Sequence, residues 1–317
     1  MRHSPGPDRN LLLFASHRGG STWIMQVLGT QTGLRALNEP FSVYQGGALC
    51  PIRVPRTAAG HLISFSDSDE EARVRSYTDD LLSGALAAGA PTRFWARSYP
   101  RKSQRILIKD LHAKALIDWF DRNFDVEIIY LVRHPIPQAM SCIRNRWGAS
   151  AYAYLRDPSF AGVLGSQLKQ YGERVLQQGT PLEHHVLTWV LENYAGLRLL
   201  NQKPHWVFVS YEECVLEPDS TLQRVATRLN LGDVGKMRSE MNVPSHSSKM
   251  SLASTREQIR LGNSKSVLNG WRQEVSDGQE RALLGILDRF EVPLYRPRED
   301  LPQLSKLNFG GGLPNNA

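Results

Sequence analysis

Between residues 11 and 28 the chain has few ways to fold. Leu11-Leu12-Leu13-Phe14-Ala15-Ser16 is a short continuous apolar run, and it gives way to His17-Arg18-Gly19-Gly20-Ser21-Thr22 and then to an apolar-periodic stretch. A run of that kind is the pattern of a strand buried on both faces, so the passage reads strand, glycine-rich loop, helix. Similar runs recur at Arg105 to Ile108, Val126 to Val132 and Trp206 to Val209, the first two leading into helical patterns. Strands alternating with helices predict an α/β fold, a single domain with a central parallel sheet flanked by helices and a P-loop-like turn after its first strand.

Two helices are expected from their caps. One covers Asp67 to Ala88, opened by Ser66 or Asp67 and stopped by Gly89 with Pro91. The other runs from Pro181 to Asn201, with proline in the first turn and Leu182, Val186, Trp189, Val190, Tyr194 and Leu197 on one stripe. The stretch 147–180 sets Trp147, Tyr152, Tyr154 and Phe160 among Gly, Pro and Ser, and reads either as an acceptor-binding insertion or as a helical excursion on the surface. Residues 8–300 are expected to form the domain and 301–317 a flexible tail.

Charge and cysteine usage narrow the partners. Met1 to Asn10 holds Arg2, His3, Asp8 and Arg9, and the apolar run behind it is far shorter than the ~20 residues that span a bilayer, so neither a signal peptide nor a transmembrane segment is expected. Cys50, Cys142 and Cys214 lack the spacing of a zinc site or disulfide framework, which fits a reducing cytoplasm. None of the nine histidines forms a ligand cluster in sequence, and no metal is expected. A net charge of +7 favours an anionic partner. Because the basic residues are dispersed and no aromatic-interleaved basic motif occurs, a phosphorylated small molecule is favoured over nucleic acid.

The glycine-rich loop brings free backbone N–H groups and a positive helix end to one point, where a phosphate binds; Ser21 and Thr22 add hydroxyl donors and Arg18 adds charge. A structural turn is the alternative. No glycine lies upstream in Walker A register and no lysine precedes Ser21, which argues against a nucleotide triphosphatase. Arg133 stands at the end of the Val126 to Val132 strand, followed by His134-Pro135 and, eight residues on, by Ser141. Arginine at a strand's carboxyl end with serine about two helical turns away can hold one phosphate. A surface carboxylate partner for Arg133 is the competing reading.

Taken together these residues resemble the sulfotransferases that use 3′-phosphoadenosine 5′-phosphosulfate (PAPS). Arg18-Gly19-Gly20-Ser21-Thr22-Trp23 looks like the family's 5′-phosphosulfate loop, with arginine where its cytosolic branch usually has lysine. Leu131-Val132-Arg133-His134-Pro135 with Ser141 is similar to its 3′-phosphate element. Val209-Ser210-Tyr211-Glu212-Glu213 matches a strand end, with Tyr211 and Glu212 structural. Lys265 with Gly270-Trp271-Arg272 is similar to its late loop over the 3′-phosphate and adenine, although Ser266 and Asn269 replace that loop's glycines. The resemblance spans roughly residues 11 to 295. Asn38-Glu39-Pro40-Phe41 and Ile108-Lys109-Asp110-Leu111 look more like the carbohydrate sulfotransferases and the bacterial trehalose sulfotransferase than like the phenol and steroid enzymes.

The resemblance implies transfer of a sulfuryl group from PAPS to a hydroxyl of a carbohydrate, glycolipid or natural product, leaving adenosine 3′,5′-bisphosphate. It nominates Glu39 as general base, with His112 as the rival and Lys109 reaching the donor sulfate or the acceptor. Arg18 would stabilise the leaving phosphate. Trp23 either faces the adenine or packs beneath the loop, and Trp271 contacts the adenine. Lys265, Arg272 and Arg260 form a basic late segment for the 3′-phosphate, or else a solvated basic face. A non-catalytic nucleotide-binding protein and a P-loop kinase are the competing functions.

Overall fold

The computed structural model describes residues 2–42, 60–86, 102–245, 257–258, 261 and 268–307. Five parallel strands build the central sheet: β1 (Asn10–Phe14), β2 (Leu34–Asn38), β3 (Arg105–Asp110), β4 (Val126–Val132) and β5 (Val207–Ser210), in the order β2-β3-β1-β4-β5. Alternation along each strand sends side chains into two apolar layers. Leu12, Phe14, Ile106, Ile108, Ile128 and Tyr130 lie in one, and Leu11, Leu13, Leu107, Ile129, Leu131 and Val209 in the other. Each fully buried side chain of this size contributes about 1.5–3 kcal/mol, which is why the strands read as unbroken apolar runs.

Helices α1 (Ser21–Leu28), α2 (Ser68–Leu82), α3 (Ile117–Asn123), α4 (Pro135–Arg144), α5 (Ala151–Arg156), α6 (Pro158–Gln178) and α7 (Pro181–Leu199) precede β5. It is followed by α8 (Tyr211–Leu216), α9 (Pro218–Leu229), α10 (Val234–Glu240) and α11 (Asp277–Arg289). Helix α7 is the expected one: Thr180 and Glu183 form a capping box, Pro181 sits in the first turn, and Val186, Trp189, Val190, Tyr194 and Leu197 are buried. Among the described residues no helix is long and apolar enough to cross a membrane.

Several sequence expectations are corrected. Helix α2 opens on Asp67, whose carboxylate accepts from the Glu70 amide at 2.7 Å, but ends at Leu82 rather than Ala88. The chain turns at Gly84 (φ 74°), where a Cβ would stand 2.5 Å from His3, so the stop comes before Gly89. Strand β2 was not anticipated, because Arg35 interrupts its apolar pattern; that arginine is buried nonetheless. Residues 151–178 form α5 and α6, with a break at Gly165 (φ 76°). The tail begins later than Leu301: Leu307 is fully buried and its carbonyl accepts from Asn201 Nδ2.

Candidate active site

Connections leaving β1 run toward β2, whereas those leaving β4 run toward β5, so the two strands part at their carboxyl ends. Such a switch point is where ligands bind in open parallel sheets. The loop after β1 and the turn after β4 meet there.

The loop closes on itself through the Gly19 amide, which donates to the Ser16 carbonyl at 3.0 Å. A Cβ on Gly19 would lie 2.9 Å from that oxygen. Gly20 caps α1 in the left-handed region (φ 89°), and no side chain caps the helix, leaving its first amides to a ligand. Tyr211 crowds Gly20 so closely that a Cβ there would stand 2.5 Å from its ring. Gly20→Ala is therefore expected to destabilise the fold by ~1–3 kcal/mol, read as a lower urea midpoint. Ser21 is buried and Thr22 half-buried in the first turn. Of the two readings of Trp23, the structure favours packing beneath the loop: its indole N–H donates to the Met241 carbonyl at 3.2 Å and its ring centroid lies 5.5 Å from that of Tyr211.

Arg18 has a left-handed φ of 60° and turns its side chain toward Ser141 on α4. Its Nε donates to Ser141 Oγ at 2.9 Å, and Arg133 NH1 donates to the Arg18 carbonyl at 2.9 Å. Burial, and then the positive charge of Arg133, push the Arg18 guanidinium below its ordinary pKa. Arg133 lies over the Tyr211 ring at 4.5 Å, and its buried Nε has no hydrogen-bond partner among the described residues. Two converging guanidiniums, a hydroxyl and open helix-start amides suit an anion.

The turn that aims Arg133 is built by groups behind it. Trp189 Nε1 donates to the Arg133 carbonyl at 2.8 Å, and the His134 amide donates to Glu212 Oε1 at 2.9 Å. Burial raises Glu212 to about 7, and the Tyr295 hydroxyl donates to its other oxygen. Glu212 and Tyr211 are thus the supports of the glycine-rich loop and of the Arg133 turn.

Beyond this point lies a second cluster on β2 and β3. Register pairs Asn38 with Lys109, and the Glu39 amide donates to the Lys109 carbonyl at 2.7 Å, which sets Glu39 beside the lysine. Lys109 Nζ donates to a Glu39 carboxylate oxygen and, at 3.0 Å, to Asn38 Oδ1. His112 Nε2 is 3.7 Å from the other oxygen. Burial would raise the Glu39 carboxyl, but the His112 hydrogen bond and the Lys109 charge outweigh it and bring it down to about 2. Glu39 also has a left-handed φ, 53°. A backbone cost of about 1–3 kcal/mol at both Glu39 and Arg18 marks these two as held in place by their surroundings. For Glu39 the holder is Asp110, which sequence reasoning passed over. It accepts from the His112 and Ala113 amides at 2.7 Å and from the Phe41 amide at 3.4 Å, joining the two loops.

Sequence reasoning also missed a histidine cluster. Ring centroids of His17 lie 5.1 Å from His112, 6.1 Å from His61 and 5.5 Å from Trp147, while His61 Nε2 is 3.8 Å from Glu192. With Arg18 over Trp147 at 5.8 Å, side chains run from Glu39 through His112, His17 and Trp147 to the anion point. Four different segments supply these rings, so no spacing rule reveals them. Among the described residues no group of His, Cys, Asp and Glu is arranged to hold a metal.

The late segment is less exposed than expected. Trp271 is buried, its ring 5.0 Å from that of His134, and Arg272 bonds to Asp300 with Glu280 at 3.6 Å. Arg272 thus already faces two carboxylates. Lys265 and Arg260 lie outside the described residues.

The histidines give the protein a definite acid response. Burial lowers His17 to about 4 and His61 to about 3, so between pH 4 and 6.5 both carry a proton in the unfolded chain and not in the folded one. Their stability is complete above 6.5 and lost as pH falls. Glu212 has the opposite sign, being protonated only in the folded chain between 4.5 and 7. Burial lowers His134 well below its ordinary value as well, so three histidines against one glutamate leave about two net protons between pH 4.5 and 6.5. Unfolding free energy from urea titrations is expected to fall by ~2.7 kcal/mol per pH unit across that window, and His61→Gln to flatten the slope.

No family model matches this sequence, and no curated protein matches it. Among solved structures the chain is similar to a sulfotransferase domain from the curacin biosynthetic pathway, at 18% identity over 74% of this chain and 77% of that one, with a TM-score of 0.41. It is also similar to a mouse sulfotransferase complexed with PAP, at 15% identity over 90% of this chain and 85% of that one, with a TM-score of 0.41.

Proposed function

We propose that this protein is a sulfotransferase that moves the sulfuryl group of PAPS to a hydroxyl of a carbohydrate, glycolipid or natural-product acceptor. The observation that carries the reading is the meeting of Arg18, Ser141 and Arg133 at the sheet's switch point, with Glu39, Lys109 and His112 nearby. The sequence motifs argue for the same chemistry. In this reading the transferase unit runs from residue 8 to Leu307, which packs into the core.

In this reading the acceptor oxygen attacks sulfur in line with the bridging oxygen of PAPS. The S–O bond to the 5′-phosphate breaks, Glu39 takes the acceptor proton, and adenosine 3′,5′-bisphosphate leaves. Arg18, the loop amides and the start of α1 oppose the charge that grows on the leaving phosphate, a preorganised electrostatic effect. Arg133 and Ser141 hold the 3′-phosphate. Lys109 has a double task. While it bonds Glu39 the carboxylate is a weak base, and a sulfuryl group that draws the ammonium to itself returns Glu39 toward ordinary carboxylate basicity. His112, on the other carboxylate oxygen, orients it.

Calorimetric titration with adenosine 3′,5′-bisphosphate tests the reading, with 5′-AMP as the control that lacks the 3′-phosphate. Binding that depends on the 3′-phosphate is the expected result. Equal affinity for the two nucleotides overturns it.

A further inference from the structure

Lys114 is a buried charge that the proposed mechanism leaves unused. It sits in the 3-10 turn Lys114–Leu116 after β3, with 1% of its surface exposed. Its Nζ donates to Asn193 Oδ1 at 2.5 Å and to Ser16 Oγ at 3.2 Å, and lies 4.8 Å from the centre of the Tyr130 ring. Asn193 is fixed in turn by the Tyr130 hydroxyl, which donates to its Oδ1 at 2.9 Å, and by its own bond to the Trp189 carbonyl. Among the described residues Lys114 forms no ion pair.

A lysine ammonium in such a place is expensive to keep charged, because burial strips its water and neutral oxygens return only part of the loss. Its location gives the cost a use. Ser16 is the residue on which the phosphate loop closes, through the Gly19 amide, so Lys114 is one side chain removed from the amides that face the ligand. An anion on that loop would add opposite charge to that of Glu192, which by itself does not offset the burial of the ammonium.

We propose that Lys114 is a positioning residue of the phosphate loop and the buried counter-charge to the anion held there, so that the protein takes up a proton at Lys114 Nζ as the anion binds. The proposal rests on reading residues 16–22 as an anion loop and not on the identity of the nucleotide. Burial lowers Lys114 to about 7, opposed by the charge of Glu192, so above neutrality the free protein carries largely the neutral amine. Binding then draws one proton from solvent onto the Nζ lone pair. The groups that face Lys114 leave this assignment standing. The charge of Glu192 on α7 is already part of what sets Lys114 in the free protein, burial keeps the Tyr130 hydroxyl protonated, and Asp118 and Asp121 on α3 are tied to Lys203.

The test is titration calorimetry at pH 8 in Tris and in HEPES, whose different ionisation heats report protons exchanged with the buffer. Adenosine 3′,5′-bisphosphate is one probe and inorganic sulfate, which needs the loop alone, is the other. Wild-type protein is expected to take up between half and one proton per ligand, and its affinity to fall up to tenfold per pH unit above 7. Lys114→Arg, charged throughout, is expected to bind without uptake and without that pH dependence. Lys114→Met is expected to lose both uptake and at least tenfold in affinity. Absence of uptake in the wild type overturns the proposal whatever the variants do, and so does uptake that persists in Lys114→Arg. If sulfate binds with uptake while the bisphosphate binds no better than 5′-AMP, the PAPS reading falls and Lys114 keeps its role. If neither probe binds the wild type, the anion loop and the role of Lys114 fall together.

Discussion

Glu39→Gln is expected to lower turnover by ~10²- to 10⁴-fold at saturating PAPS and acceptor, the range that loss of a positioned general base produces, with affinity for adenosine 3′,5′-bisphosphate unchanged. The second half of the expectation is what makes the first half interpretable. Lys109 is fully buried and bonds Glu39, so glutamine leaves its ammonium without a charged partner. Breaking a buried pair from one side costs about 3–5 kcal/mol, and the variant should unfold at lower urea. Nucleotide affinity measured on the same preparation then separates the two effects. Turnover lost with binding kept assigns Glu39 to proton removal. Turnover and binding lost together assign it to the architecture of the β2 and β3 ends, and normal turnover removes it from the reaction.

Arg133→Ala is expected to weaken adenosine 3′,5′-bisphosphate binding by roughly 10- to 100-fold, as removal of one charge-assisted hydrogen bond worth about 1.5–3 kcal/mol implies. The effect reaches past the 3′-phosphate, because Arg133 also donates to the Arg18 carbonyl and so supports the 5′ loop. Arg133→Lys should recover only part of the loss, since a lysine cannot both span to that carbonyl and lie flat on Tyr211 as the guanidinium does. An alanine variant with wild-type nucleotide affinity would reduce Arg133 to a brace for the loop.

The strands that the sequence made plain are those buried on both faces. β1, β3 and β4 are dominated by Leu, Ile and Val, with Glu127 the one half-buried residue within β4, and burial on two sides favours that pattern. β2 escaped notice because Leu-Arg-Ala-Leu-Asn lies at the sheet edge and hides Arg35 by contacts that no local pattern encodes. The span 151–178 was obscured in the same way. Its apolar residues stand among Gly, Pro and Ser, and only the fold shows Phe160 packed on Tyr154 and Tyr194 and Gly172 set beside Leu155.

Local sequence by itself determined the glycine-rich loop, the Arg133 turn and the α/β layering, because each follows from a few adjacent residues: glycines that permit the turn, proline that opens a helix, apolar runs that demand burial on both sides. Tertiary structure alone decided that Arg18 reaches Ser141, that His112 and Lys109 hold Glu39 low, that Trp271 is buried on His134, and that His17, His61 and His112 touch. Those facts depend on the distance between strand ends and on the dielectric around each charge. Both are set when loops far apart in sequence are brought to one edge of the sheet.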